Sequence, residues 1–68
     1  MKTPADLVID LFDGIRPLAR LLQKNPSTIW AWQQKRKGLI PSKHHRRLLQ
    51  LARKHGVTLS ATDLVMGR

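Results

Sequence analysis

The sequence predicts an all-α fold, a compact bundle of about five short helices forming one domain over residues 1–68. Three observations predict it. Apolar residues recur at three- and four-residue spacing in segment after segment. Each segment is bounded by Pro, Gly, Asn or Ser at positions that start or stop helices. No alternating apolar and polar run is long enough for a strand, and there is no repeat or low-complexity tract.

In the first segment Thr3 supplies an N-cap acceptor and Pro4 the residue best tolerated at the first helical position; Asp6 is placed to reach back in a short capping box. Leu7, Val8, Leu11 and Phe12 follow helical spacing, Asp6, Asp10 and Asp13 form a polar stripe on another side, and Gly14 is the expected stop. The stripe reads most simply as a solvated face, with Asp6 complementing the helix dipole. Otherwise it is a surface turned away from an anionic ligand, or one that pairs with Arg16 or Arg20.

A second helix starting at Arg16 or Pro17 carries Leu18, Ala19, Leu21 and Leu22, and breaks at Lys24, Asn25 and Pro26. The third has Asn25 as N-cap, Pro26 first and Thr28 third. Ile29 and Trp32 form an inward pair, and Trp30, Ala31, Gln33 and Gln34 lie on other faces. Lys35, Arg36 and Lys37 with Gly38 end it, where cations suit the negative end of the dipole. Pro41 and Ser42 open a fourth helix with Leu48, Leu49, Leu51 and Ala52 on its apolar side and Lys43, Arg46, Arg47, Arg53 and Lys54 outside, capped by Gly56. Val57 and Leu59 read as extended. Ser60 with Asp63 spells a second capping box before a last turn holding Leu64, Val65 and Met66.

Composition narrows what such a bundle does. Sixty-eight residues give a thin core, and the absence of cysteine excludes disulfides and thiolate metal sites. No apolar run approaches the ~18 residues of a membrane span, and three acids fall in the first thirteen residues where a basic leader would stand, so a cytoplasmic protein away from membranes is expected. A ligand pocket of about 300 Å³ or more would consume much of so small an interior, which argues against an enzyme. The three histidines have no cysteine or carboxylate partners at ligand spacing and read as surface or phosphate-proximal residues; the serines lack a paired base and acid. No metal or cofactor is implied.

Thirteen Lys or Arg against four Asp leave a formal charge of +9, and the acids are segregated: from Gly14 to Thr62 there are eleven Lys or Arg and no carboxylate. A field of this sign attracts polyanions. A solubilising surface or a disordered tail would give the same total, but leucines recur through the basic block, which favours a folded nucleic-acid binder. Two short helices joined by a three-residue turn, with the small Ala19 on the inner face of the first and an N-cap opening the second, can lay one helix in a DNA major groove.

The run from Arg16 to Gln34 resembles the helix-turn-helix of phage Cro and related repressors. In that family an Ala is followed three residues later by an apolar residue, then a turn, a Ser/Thr-rich helix start, an Ile and a Trp. Ala19, Leu22, Thr28, Ile29 and Trp32 match that register, and the Gly38, Ile40, Pro41 stretch before a basic leucine helix extends the likeness more loosely to small Cro-like proteins of prophages. One position departs: the turn residue usually held by Gly is Gln23, which either adopts a left-handed conformation at modest strain or marks a differently built turn.

The resemblance implies a repressor of a promoter in a prophage or prophage-derived gene cluster, binding double-stranded DNA with Pro26, Ser27, Trp30, Ala31 and Gln34 toward the groove. Gln33 and Gln34 suit base edges such as adenine, Ser27 a base or phosphate, and the Ala31 methyl a thymine methyl. Trp30 is open to three readings: core packing, a backbone contact through its N–H, or a thymine-methyl contact. Asn25 and Thr28 serve the cap and a phosphate, and Arg16, Arg20, Lys35, Arg36, Lys37, Lys43 and Arg46 are the flanking phosphate contacts, although each serves equally well as solvated surface. A homodimer on DNA is expected from a monomer in solution, since one module touches few bases; Leu59, Leu64, Val65 and Met66 are candidate joining residues, unless they pack on helix one. Two rivals remain: an architectural or recombination accessory protein that bends DNA, and a protein-interaction module such as an antitoxin or antirepressor partner whose basic face meets an acidic protein.

Overall fold

Helix α1, Pro4–Leu11, begins where the Thr3 hydroxyl accepts from the Asp6 amide at 3.2 Å. The computed structural model describes residues 2–68. The capping box does not close, because the Asp6 carboxylate turns away to accept from the Gln33 side-chain amide at 2.6 Å. The rest of the acidic stripe also departs from expectation: Asp10 pairs with Lys2, and none of the three acids pairs with Arg16 or Arg20. Gly14 does not stop α1. The chain leaves the helix at Phe12 and turns through Asp13, which adopts a left-handed φ of 69°.

Gly14 instead caps α2, Ile15–Leu22, so that Pro17 falls at the third helical position, where no intrahelical donor is lost. Leu18, Ala19 and Leu22 are buried. The turn that follows answers the question raised by Gln23: its φ of 57° and ψ of 42° are left-handed. The Gln23 amide donates to the Arg20 carbonyl at 3.1 Å and the Lys24 amide to the Ala19 carbonyl at 2.9 Å, the paired bonds of a Schellman motif. A residue with a Cβ thus occupies the position where glycine is least strained.

Helix α3, Pro26–Gln34, follows with Asn25 at its N-cap, although the Asn25 side chain makes no cap bond. Ile29 and Trp32 are 0% and 2% exposed, as the inward pair requires. After α3, Lys37 and Gly38 both take positive φ. Gly38 is buried against α1: its carbonyl accepts from the Ala5 amide at 2.9 Å, and a Cβ there would overlap the Thr3 side chain. The free N-terminal donors of α1 are therefore met partly by Thr3 and partly by a loop that only glycine can bring so close.

A 3₁₀ turn, Ser42–His44, leads into α4, His45–Lys54. Leu48, Leu51 and Ala52 face the core and the five cations expected outside are exposed. Gly56 lies beyond the end of α4, with the Val57 amide donating to the Ala52 carbonyl at 2.8 Å. The capping box before α5, Ala61–Met66, closes in both directions: the Asp63 amide donates to Ser60 Oγ at 3.2 Å and the Ser60 amide to Asp63 Oδ2 at 3.1 Å.

The five helices enclose one core, and no strand occurs among the described residues. Helix α2 packs mainly on α3, α1 lies against α2, α3 and α5, and α4 closes the base against α2 and α5. Val8, Leu18, Ile29, Leu48 and Leu64 are the largest fully buried side chains, one from each helix, each contributing about 1.5–3 kcal/mol by its burial. Leu64 is therefore core and unavailable as a joining residue, whereas Val65 and Met66 are exposed. No helix among the described residues is long and apolar enough to cross a membrane.

Candidate nucleic-acid interface

The packing of α3 dictates what it leaves outside. Ile29 and Trp32 point into the core, so Ser27, Trp30 and Gln34 fall on the opposite side, all exposed, with Pro26 exposed in the first turn and Thr28 and Ala31 half-buried at the edge of that side. Ser27, Trp30 and Gln34 succeed one another at intervals of three and four residues and form an uncharged strip along the helix. Trp30 is 48% exposed, which removes the core reading. The two tryptophans, two residues apart, thus divide between core and surface.

Both ends of this strip are cationic. At the N-terminal end Arg16, Arg20 and Lys24 line one open concavity with Ala19 and Pro26. Along the helix, Lys35 and Arg36 share another with Ser27, Thr28, Trp30 and Ala31. Among the described residues only Lys2 and Arg68 pair with carboxylates, so the eleven cations between Gly14 and Thr62 have no ion-pair partner. Arg16, Arg20, Lys35, Arg36, Lys37, Lys43 and Arg46 are all exposed, as phosphate contacts must be, and so is Asn25. Bare cations around an uncharged helix face can attract an anionic backbone while leaving the centre free for hydrogen-bond and apolar contacts.

Gln33 occupies a different place from Gln34. It is half-buried on the α1 side of α3, where one N–H of its amide is held by Asp6; its carbonyl oxygen and second N–H are not used by that bond. Gln34 is exposed on the strip itself.

The histidines are less superficial than their sequence context implies. His44 and His45 are both half-buried, and only His55 is exposed. His45 Nε2 donates to the Ile40 carbonyl at 3.0 Å. The His44 ring lies on the buried Trp32 with centroids 5.0 Å apart and planes tilted by 43°. Burial, and then the charges of Lys43, Lys24 and neighbouring His45, hold His44 below its ordinary pKa of 6.5. Lys24 and His44 thus join the surroundings of α3, a grouping not anticipated from sequence. The signal for Lys24 was its place directly before the N-cap of α3; nothing in the sequence pairs His44 with Trp32.

Among the described residues no group of three or more His, Asp or other ligating side chains could hold a metal. No protein-family model, curated protein or solved structure matches the chain.

Proposed function

We propose that the protein is a sequence-specific double-stranded DNA-binding regulator that lays α3 in the major groove as the second helix of a helix-turn-helix formed by α2 and α3, and that it acts as a Cro-like repressor by occupying a promoter. The observation that carries this reading is the uncharged, exposed strip Ser27, Trp30 and Gln34 framed by cations without ion-pair partners. Gln34 supplies an amide to a base edge, Ser27 a hydroxyl to a base or phosphate, and Trp30 with Ala31 apolar contact to thymine methyls. Pro26 shapes the entry of α3, and Gln33, steadied by Asp6, can still offer its free amide atoms at the margin of the groove. Arg16, Arg20, Asn25, Thr28, Lys35, Arg36, Lys37, Lys43 and Arg46 are assigned to phosphates.

Two copies on DNA suit the dimensions. The chain measures 28 × 24 × 21 Å between Cα extremes, so protomers centred one helical turn apart, about 34 Å, stand edge to edge. Of the candidate joining residues, Val65 and Met66 are exposed, whereas Leu59 is partly buried against the core. No metal or cofactor enters the reading, and the protein works by binding alone.

The test is genome-wide occupancy in cells together with transcript levels from the occupied promoters. A few sharp sites with reduced transcription support the repressor. Broad occupancy without preferred sequence favours an architectural protein, and recovery only through a protein partner favours an interaction module.

A further inference from the structure

Arg16 and Arg20 stand one turn apart on the exposed side of α2, and the chain then brings a third cation back beside them. The left-handed Gln23 reverses the backbone, and the Lys24 amide donates to the Ala19 carbonyl at 2.9 Å, which holds Lys24 at the end of α2. Arg16, Arg20 and Lys24 consequently line one open concavity of about 330 Å³ together with Ala19 and Pro26. Ala19 and Pro26 carry no polar side-chain atom, and none of the three cations has a carboxylate partner among the described residues.

The helix dipole does not account for this cluster. Arg20 and Lys24 suit the negative C-terminal end of α2, but Arg16 lies in its first turn, where a cation opposes the dipole and no acid is present to offset it. Three like charges sharing one hollow also repel one another, and an anion placed among them turns that repulsion into attraction.

We propose that Arg16, Arg20 and Lys24 form a single anion site for two adjacent phosphate groups, those of a DNA strand or of a free diphosphate. With DNA as the source the inference rests on the reading above, to which it adds Lys24 and a shared site; with free diphosphate it stands without that reading. The number of phosphates follows from charge. One phosphodiester carries a single negative charge against three cations, whereas two neighbouring phosphates come closer to balance and give each guanidinium fork its own oxygens, leaving the lysine as a point charge between them. Pro26, the first residue of α3, forms part of the wall, so a strand seated here runs past the start of the Ser27, Trp30 and Gln34 strip.

The experiment titrates inorganic diphosphate, and separately a short duplex, into isotopically labelled protein at low salt. NMR follows the arginine Nε–H groups and the Lys24 signals. The expected result is one saturable event that moves Arg16, Arg20 and Lys24 together. Lys24→Gln should weaken diphosphate binding by roughly three- to tenfold. Arg53→Gln removes the same charge from a different concavity, shared with Leu49 and Thr58, and should change it by less than about twofold. Response of the three cations to the duplex alone supports the site with the strand as its source. Response to diphosphate with no duplex binding supports it with the free source and overturns the DNA-binding reading. Equal losses in Lys24→Gln and Arg53→Gln, or duplex binding that leaves the three cations unmoved, overturn the inference and leave the DNA-binding reading standing. Absence of binding by either probe overturns both.

Discussion

The Gln33 side-chain amide donates to the Asp6 carboxylate at 2.6 Å, joining the last turn of α3 to the first turn of α1 across twenty-seven residues. The bond is part-buried, and it ties α1 to the helix proposed to enter DNA. Asp6→Ala removes a charge-assisted hydrogen bond and an acid at the N-terminus of α1, and should destabilise the fold by about 1–2 kcal/mol in urea unfolding. Gln33→Ala leaves the Asp6 carboxylate without this donor and should cost a similar amount. In a double-mutant cycle the two losses should be less than additive; full additivity would show that the bond contributes nothing.

The two tryptophans should separate stability from binding. Trp32→Ala opens a cavity in the core and should cost about 3–5 kcal/mol, enough to unfold much of a domain of this size. Trp30→Ala removes an exposed ring and should change stability by less than about 0.5 kcal/mol while weakening duplex binding. Equal destabilisation by both substitutions would contradict the division of roles.

Two backbone positions make opposite predictions. Gln23 is left-handed, so Gln23→Gly should relieve strain and raise stability by about 0.5–1 kcal/mol. Gly38 lies where a Cβ would meet the Thr3 side chain, and Gly38→Ala should destabilise by more than about 1 kcal/mol. Thermal unfolding of the two variants checks both signs.

Acid should weaken the free protein through His44. Its pKa is held below 6.5 by burial and by Lys43, Lys24 and His45, so the unfolded chain binds a proton more readily than the native one. Stability is therefore unaffected well above 6.5, declines as pH falls through that value, and levels off below the native pKa. The same measurement on His44→Gln should show a flatter profile. Asp63 acts in a lower window: the Arg68 side chain, and then the Ser60 amide, hold its pKa below 3.8, so the stability it adds is present above that value and lost as pH falls through the native one.

Much of the fold was legible because helix signals are local. Thr3 with Pro4, Asn25 with Pro26 and Ser60 with Asp63 mark three starts by side-chain or ring chemistry that needs no tertiary partner, and the spacing of Ile29 and Trp32 fixed the buried side of α3. What the sequence did not disclose are choices between partners. Asp6 had a local partner in the Thr3 amide and a distant one in Gln33, and the distant one won once α1 packed on α3. The choice between the two readings of Leu64 waited on α5 folding back on α1, and the contact of His44 with Trp32 follows from where the 3₁₀ turn lands, which leaves no periodic signature. In the candidate site, the exposed strip followed from helix geometry, whereas Lys24, marked in sequence only by its place before the N-cap of α3, joined Arg16, Arg20 and Pro26 once the loop was folded.

Affinity for duplex DNA should be strongly electrostatic. If six to ten of the assigned cations meet phosphates, it should fall by roughly 10³ to 10⁵ between 50 and 200 mM salt. Removing one of them, as in Arg36→Gln, should reduce the salt slope by about one and weaken all sequences alike.

The central claim is that the Ser27, Trp30 and Gln34 strip reads sequence, and it is tested most directly by selecting duplexes from a random pool. Affinity for the winner and for a scrambled duplex is then compared at physiological salt, using the wild-type protein and Gln34→Ala. The account predicts that the wild type prefers the selected site by at least about 10³ and that Gln34→Ala loses about 1–3 kcal/mol of discrimination at one base pair. Equal affinity of the wild type for selected and scrambled duplexes, or a preference that Gln34→Ala leaves untouched, would contradict it.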